Sequence, residues 1–419
     1  VALLALGAMS WFLGRTDVGI AIRGAAESPD RARLAGIPVR RLSLATWVLA
    51  GGLSGAAALL STPIVGVSLG SLAGPQSLLV PLAAAVIARM ERLSVAVAAA
   101  IGISVVQQAV FWSYPSSSYV DVIVLGVIVV ALAVQPRELL REGGDLAGST
   151  AVREPSRLAA AVRANLRVRA LASAALVAVA GLLVVLPLWL GDSDVGLLAN
   201  IAIFAIMSLS TLVLTGWSGQ ISLGQFALAG VGAAVVGALM TETSVDLFVG
   251  LVIAGLVSAG VAVALGACTT RVSGVFLGVV TLAAATAASS YFLSPTYFSL
   301  WTPERVARPI LFERVSIDSP RAFYVFCVAA MLLAIAAALG FRRSYVGRAV
   351  IAARENERAA AAAGLSLRRL KLFSFGFSGF LAGVAGGLYV LSLRGLGYQT
   401  FSPTESLQVF TMAVVGGRG

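Results

Sequence analysis

Two short stretches place the same residue types at the same spacing, 328 positions apart. Glu27-Ser28 is followed by Gly36 and by Arg40-Arg41. Glu355-Asn356 is followed by Gly364 and by Arg368-Arg369, with Arg354 and Glu357 on either side of the pair. A serine or asparagine that accepts from backbone N–H groups, and a glycine free to take positive φ, frame a short helix. Such a helix, with a carboxylate at one end and two guanidiniums beyond the other, suits recognition by another protein rather than catalysis. A third stretch, Gly216 to Phe226 (GWSGQISLGQF), sets Gly219, Gln220, Ser222, Gly224, Gln225 and Phe226 between two apolar runs. Its amides and hydroxyls could line a path through an interrupted helix, which is tolerable at membrane depth only where the backbone faces protein or water. A plain turn, or close helix packing through small residues, fits the same residues.

Other chemistries are excluded by what is missing. The chain has no histidine, and its two cysteines, Cys268 and Cys327, stand far apart, so no metal site of these ligands and no disulfide is expected. Lys371 is the single lysine, and it follows Ser366-Leu367-Arg368-Arg369-Leu370 rather than the glycines of a phosphate-binding loop. No nucleotide or other cofactor is therefore expected in this chain.

The elements that must carry these stretches are membrane spans. The 419 residues are 59% hydrophobic and 12% charged, with a mean hydropathy of +0.95, about half the charge of a soluble domain. Apolar runs near the length needed to cross a bilayer fall at about 42–61, 93–112, 169–190, 196–214, 222–240, 248–267, 275–293, 322–341 and 371–391. Shorter runs at 75–88 and 120–135 are also read as spans, and 1–13 and 406–416 as parts of spans. The fold class is thus all-α: a polytopic transmembrane bundle of about 11 complete spans plus partial spans at both ends. Threading them alternately collects most of the arginine on one side, in loops such as 14–41, 136–168 and 342–370, which are expected to be cytoplasmic. The loop 294–321 goes to the other side. The net charge of +11 follows from this arrangement and does not point to nucleic acid. No Asp, Glu, Lys or Arg falls inside a span, Asp121, Arg169 and Lys371 standing at span edges, which disfavours ion-coupled transport. Gln107, Gln108 and Asn200 are expected to hydrogen-bond between helices.

The spacing of 328 extends well beyond the opening pairs. Arg15 to Gly55 aligns with Arg343 to Gly383 without a gap, and 16 of 41 positions are identical. The second copy lies in an island, Arg342 to Lys371, with eight basic residues and two glutamates. Ser28-Pro29-Asp30 and Asn356 predict short helices over 29–35 and 357–363, ended by Gly36 and Gly364. A helix this short is marginal in water, and packing on a cytoplasmic partner would stabilise it. Pro136 to Val168 reads as a linker, with a surface helix at 155–168. The domains are then 1–136, 137–168 and 169–419.

These residues resemble a known family, the membrane permeases of ATP-binding-cassette importers for branched-chain amino acids, with relatives that carry urea and short amides. Gly347-Arg348-Ala349 to Gly364 looks like that family's cytoplasmic coupling region. Gly216 to Phe226 looks like its Gly-x-x-Gly-Gln-x-Ser-x-Gly stretch, and Val414 to Gly419 like the start of its glycine-rich segment. The resemblance implies two related permease halves fused in one chain, 1–136 being the C-terminal part of a first unit and 169–419 a second unit incomplete at its C-terminus. It implies docking onto cytoplasmic ATPases through Glu27, Ser28, Gly36, Arg40 and Arg41, and through Arg354, Glu355, Asn356, Glu357, Gly364, Arg368 and Arg369. It further implies that ATP is used by those partners, that an extracytoplasmic solute-binding protein delivers the cargo, that a second permease copy can take part, and that the chain lies in the plasma (inner) membrane with its basic loops facing the cytoplasm. A facilitative channel or ion-coupled carrier is the alternative. In the first half Ala88-Arg89-Met90-Glu91 stands where the second has Gly416-Gly417-Arg418-Gly419, so the first half is expected to lack the glycine segment.

Overall fold

A computed structural model describes residues 2–65, 75–88, 92–113, 118–134, 174, 181–183, 185–243, 245–269, 274–294, 296–298, 303, 305–311, 315–397 and 400–416. The expected linker and its surface helix, and most of the run at 169–190, lie outside these residues. The chain divides into two compact units, Val1–Ser113 and Tyr114–Gly419.

The first unit contains α1 (Ala2–Arg15), α2 (Asp17–Glu27), α3 (Pro29–Leu34), α4 (Val39–Val65), α5 (Leu79–Ile87, entered through a 3-10 turn at Pro75–Leu78) and α6 (Leu93–Ser113). The second contains α7 (Ser118–Val134), α8 (Asp192–Thr211, continued as a π-helix over Leu212–Trp217), α9 (Gln225–Glu242), α10 (Leu247–Thr269) and α11 (Val275–Ala287, continued as a π-helix over Ala288–Phe292). It ends with α12 (Pro320–Arg343), α13 (Tyr345–Glu355), α14 (Glu357–Ala362), α15 (Leu367–Leu393) and α16 (Pro403–Val415). Among the described residues the sole strand pairing is a two-residue antiparallel ladder of β1 (Ile310–Leu311) and β2 (Val315–Ser316). The fold is all-α and polytopic. Among the described residues seven helices are long and apolar enough to cross a membrane, and Ser118–Ala131 and Phe276–Phe292 are shorter apolar helices.

The repeat governs the helix boundaries far beyond the residues that are identical. Adding 328 to the ends of α2, α3 and α4 gives the ends of α13, α14 and α15, and Pro75–Ile87 likewise maps onto Pro403–Val415. The short helices predicted at 29–35 and 357–363 are present one residue shorter, with Ala35 and Ala363 as C-caps. Within the run at 75–88 the helical segment Pro75–Ile87 shares its length with α16, a 13-residue helix about 20 Å long, which is too short to cross alone.

The core of the second unit forms around α15. Gly383 lies where a Cβ would come 2.5 Å from Ser258 Oγ and 2.7 Å from Ala254 O of α10, so the two backbones meet through the missing side chain. Gly386 meets the Ala229 carbonyl of α9 in the same way. Ser258 donates to Leu228 O at 3.0 Å, tying α10 to α9. As a result 61% of the most apolar window of α15 is buried, while its counterpart α4 buries none within the first unit. Asn200 accepts from Ser392 Oγ at 2.6 Å, bridging α8 and α15 as expected of an intramembrane amide. Tyr119 of α7 stacks near Tyr291 and Tyr297, with ring centroids 5.4 Å away in both cases. These contacts place α7 in the second unit although it precedes the expected linker.

Candidate functional site

Both islands are built alike from the backbone outward. Thr16 caps α2 by accepting from Gly19 N at 3.0 Å, and Ser344 caps α13 by accepting from Gly347 N at 3.1 Å. Ser28 accepts from Arg31 N at 3.5 Å, and Asn356 Oδ1 accepts from Ala359 N at 2.9 Å, starting α3 and α14. Each short helix then closes with a paired turn: Gly36 N donates to Arg33 O and Ile37 N to Ala32 O, as Gly364 N does to Ala361 O and Leu365 N to Ala360 O. This closure needs positive φ at the glycine, +78° at Gly36 and +81° at Gly364. Ala25 and Ala32 are buried beneath the first helix pair, and Ala353 and Ala360 beneath the second.

Each island presents an exposed outer surface. Glu27, Gly36, Arg40 and Arg41 are exposed, and so are Glu355, Asn356, Glu357, Gly364, Arg368 and Arg369; Ser28 is half-buried. Lys371 pairs with Glu357 at 2.8 Å, a partly exposed bridge worth at most about 1 kcal/mol. Arg354 differs from the rest. It is half-buried and turns inward, and its Nη1 donates to the carbonyl of Gly216 in the third stretch.

That third stretch is a non-helical break, 218–224, between two helices each long enough to span. α8 loosens into a π-helix over Leu212–Trp217, with Ser218 N bonded to Val213 O and Gln220 N to Leu214 O, and α9 begins after seven intervening residues at Gln225. Gly219 permits the turn with φ +71°. Gly216 O is a carbonyl freed at a helix end, and a guanidinium there is favoured by the helix dipole by about 0.3–1 kcal/mol. The Trp217 ring lies 6.1 Å from Phe341 in a stacked pair, and Arg342 stands 5.6 Å over it.

The start of α9 is the polar centre of the second unit. Gln220, Ser222, Gly224, Gln225 and Phe226 are buried there, and Gly219 is exposed. Ser210 Oγ of α8 lies 3.0 Å from Gln225 Oε1 and 2.8 Å from Ser378 O of α15, and Ser378 Oγ donates to Ser210 O at 3.1 Å. Thr281 of α11 accepts from Leu223 N at 2.9 Å, and Ser406 of α16 accepts from Phe226 N at 3.2 Å. Ser378 lies seven residues past Lys371 on α15, about 10 Å deeper along the helix, so this network sits inside the apolar layer.

Chain order explains how α16 reaches that depth. After Arg394 ends α15 in the left-handed conformation, Leu396 packs beside Gly237 and Phe401 beside Gly230. Phe401 meets Phe226 at 5.1 Å between centroids. From Leu396 to Phe401 these contacts move along α9 by about 10 Å before α16 starts. Phe204, Tyr389, Phe226 and Phe401 form an aromatic cluster above the polar network, with centroids 5.1–5.9 Å apart.

Among the described residues, Trp217 Nε1, Gln220 Nε2 and Gln225 Nε2 are the buried side-chain polar atoms without a partner. Each such orphan costs about 1–3 kcal/mol, so three within nine residues mark the break as a place built for something other than stability. The sequence flagged both glutamines. It gave no signal for Ser210, Thr281, Ser378 and Ser406, because an isolated hydroxyl on an apolar helix is ordinary until its neighbours are known.

The model of one family, described as "Branched-chain amino acid transport system / permease component", matches residues 1–132 and 195–419. The chain is 29% identical over 269 residues to the high-affinity branched-chain amino acid transport system permease protein LivM of Escherichia coli (strain K12), covering 58% of this chain and 63% of that protein. It is 28% identical over 257 residues to the protein of the same name from Salmonella typhimurium (strain LT2), covering 56% and 60%. The chain therefore spans about three-fifths of the length of these curated relatives. No solved structure matches it. With a family model covering both segments that hold the islands and the helix break, the chain belongs to the permease components of branched-chain amino acid transport systems.

Proposed function

We propose that this chain is the transmembrane permease subunit of an ATP-driven importer that moves branched-chain or other small amino acids, or urea and short amides, into the cytoplasm. The observation that carries this reading is the duplicated, capped short helix with an exposed charged surface, at Ser28–Gly36 and Asn356–Gly364. Neither insertion nor packing requires that surface twice. Cytoplasmic ATPases dock on it and use the ATP, and the chain itself supplies no catalytic or cofactor site. An extracytoplasmic binding protein delivers the solute, which passes Gly219, Gln220, Ser222, Gly224, Gln225 and Phe226 at the break. In this reading 1–136 and 169–419 act as the two permease units joined by 137–168, in the inner membrane with both islands facing the cytoplasm.

The test is uptake of radiolabelled leucine, isoleucine and valine, and of urea, by vesicles carrying the chain with and without its cognate ATPases and binding protein. Uptake that needs ATP and both partners is expected. Uptake driven by a proton or sodium gradient without them would establish the channel or carrier reading instead.

A further inference from the structure

We infer that Arg354 is not part of the ATPase-facing surface of the second island but a latch that holds the helix break closed, so that movement of this island is transmitted to the polar centre through one side chain.

Two contacts, and the burial of the residues beside them, carry the inference. The Arg354 guanidinium donates to Gly216 O, a carbonyl that the π-wound end of α8 leaves outside the helix ladder. Its aliphatic stem packs on Gly219, where a Cβ would come 2.9 Å from Arg354 Cγ, so the turn is shaped around this arginine. Gly219 adjoins Gln220, and the next polar residues, Ser222 and Gln225, are both buried, at 2% exposure each. One side chain therefore bridges α13 and the segment whose conformation decides whether those residues are covered. The neighbouring residues of the island point the other way: Glu355, Asn356 and Glu357 are exposed.

The comparison between copies sharpens this. The islands share their caps, their closing glycines and their buried alanines, yet position 26 of the first is alanine where the second has Arg354. An island needs no arginine there to fold. The arginine is present in the copy that lies against the break. The two islands are then unequal, the second transmitting movement through this side chain and the first docking without an equivalent one. Arg354 is a positioning residue, acting on the path through the Gly216 carbonyl and the 218–224 turn.

The source of the movement rests on the proposed ATPase docking, but the latch does not, and the experiment separates them. A cysteine placed by Ser222→Cys, in a chain whose exposed Cys268 is changed to serine, is treated with a membrane-permeant maleimide in vesicles without any ATPase. Little labelling is expected, and Arg354→Ala should raise its rate at least about tenfold. Arg354→Lys, which keeps the charge but loses the planar fork, should give an intermediate rate. Gly219→Ala, which displaces the arginine stem, should give the same rise as Arg354→Ala and serves as the second route should that variant fold poorly. Unchanged labelling in both variants overturns the latch. In vesicles with ATPases and binding protein, Arg354→Ala should leave ATPase co-purification intact while solute moved per ATP falls at least about fivefold. Loss of co-purification would return Arg354 to the docking surface and overturn the inference. A labelling rise in a system whose uptake never needs ATP would uphold the latch and sink the importer reading alone.

Discussion

Ser28 and Asn356 hold the same backbone conformation 328 positions apart, φ −151° in both, with ψ 98° and 97°. Each ends one helix, opens another, and lends its side-chain oxygen to the third residue beyond it. Different side chains in one geometry mean that the turn itself is what the repeat preserves.

The closing glycines should be the sensitive positions of that turn. Gly364→Ala, at φ +81°, is expected to cost about 1 kcal/mol, lowering the thermal midpoint of the detergent-purified protein by a few degrees. Gly340→Ala, in the last turn of α12 with nothing within 4 Å of the added carbon, should leave it unchanged or slightly higher. Thermal unfolding of the two variants side by side decides the matter.

Glu355→Lys reverses an exposed charge beside Asn356 without touching a buried contact. Insertion and yield should match the parent, while ATP-dependent uptake falls by more than tenfold. Normal uptake by this variant would remove Glu355 from the docking surface.

Gln225→Leu removes a buried amide whose nitrogen has no partner. The folded protein should be as stable as the parent or more so, because an orphaned polar atom disappears, while uptake declines. Parallel measurement of melting and transport tests this opposition. A loss of both would show that the Ser210 contact outweighs the orphan.

Gly383→Val and Gly55→Val occupy matching positions of the repeat. The first forces a side chain into Ser258 and the Ala254 carbonyl, and the second meets nothing within 4 Å. Overpacking at Gly383 should cost about 1–3 kcal/mol or more and reduce the yield of folded protein, with Gly55→Val accumulating normally. Fluorescence-detected size exclusion of tagged variants would show the difference.

Sequence alone determined the membrane class, the approximate position of most spans, the duplicated island and its two capped helices. Each of these rests on a local signal: apolar run length, arginine bias, an N-cap followed by a glycine. The family resemblance was carried by the same local motifs, and the family match confirms it. Helix termini in the two copies coincide even where side chains differ, since caps and prolines act within a few residues of themselves. Tertiary structure decided everything that depends on which helix lies next to which. It showed that α4 is bare within its unit while α15 is the centre of the other, although both carry the same glycine pair, because a glycine faces a neighbour only where a neighbour crosses. It brought α16 down beside the start of α9, a depth that hydropathy cannot report. It gathered Ser210, Thr281, Ser378 and Ser406 from four helices around Gln225. And it separated Arg354 from the charged residues on either side of it, since the direction a side chain takes from a helix is fixed by packing against residues more than a hundred positions away.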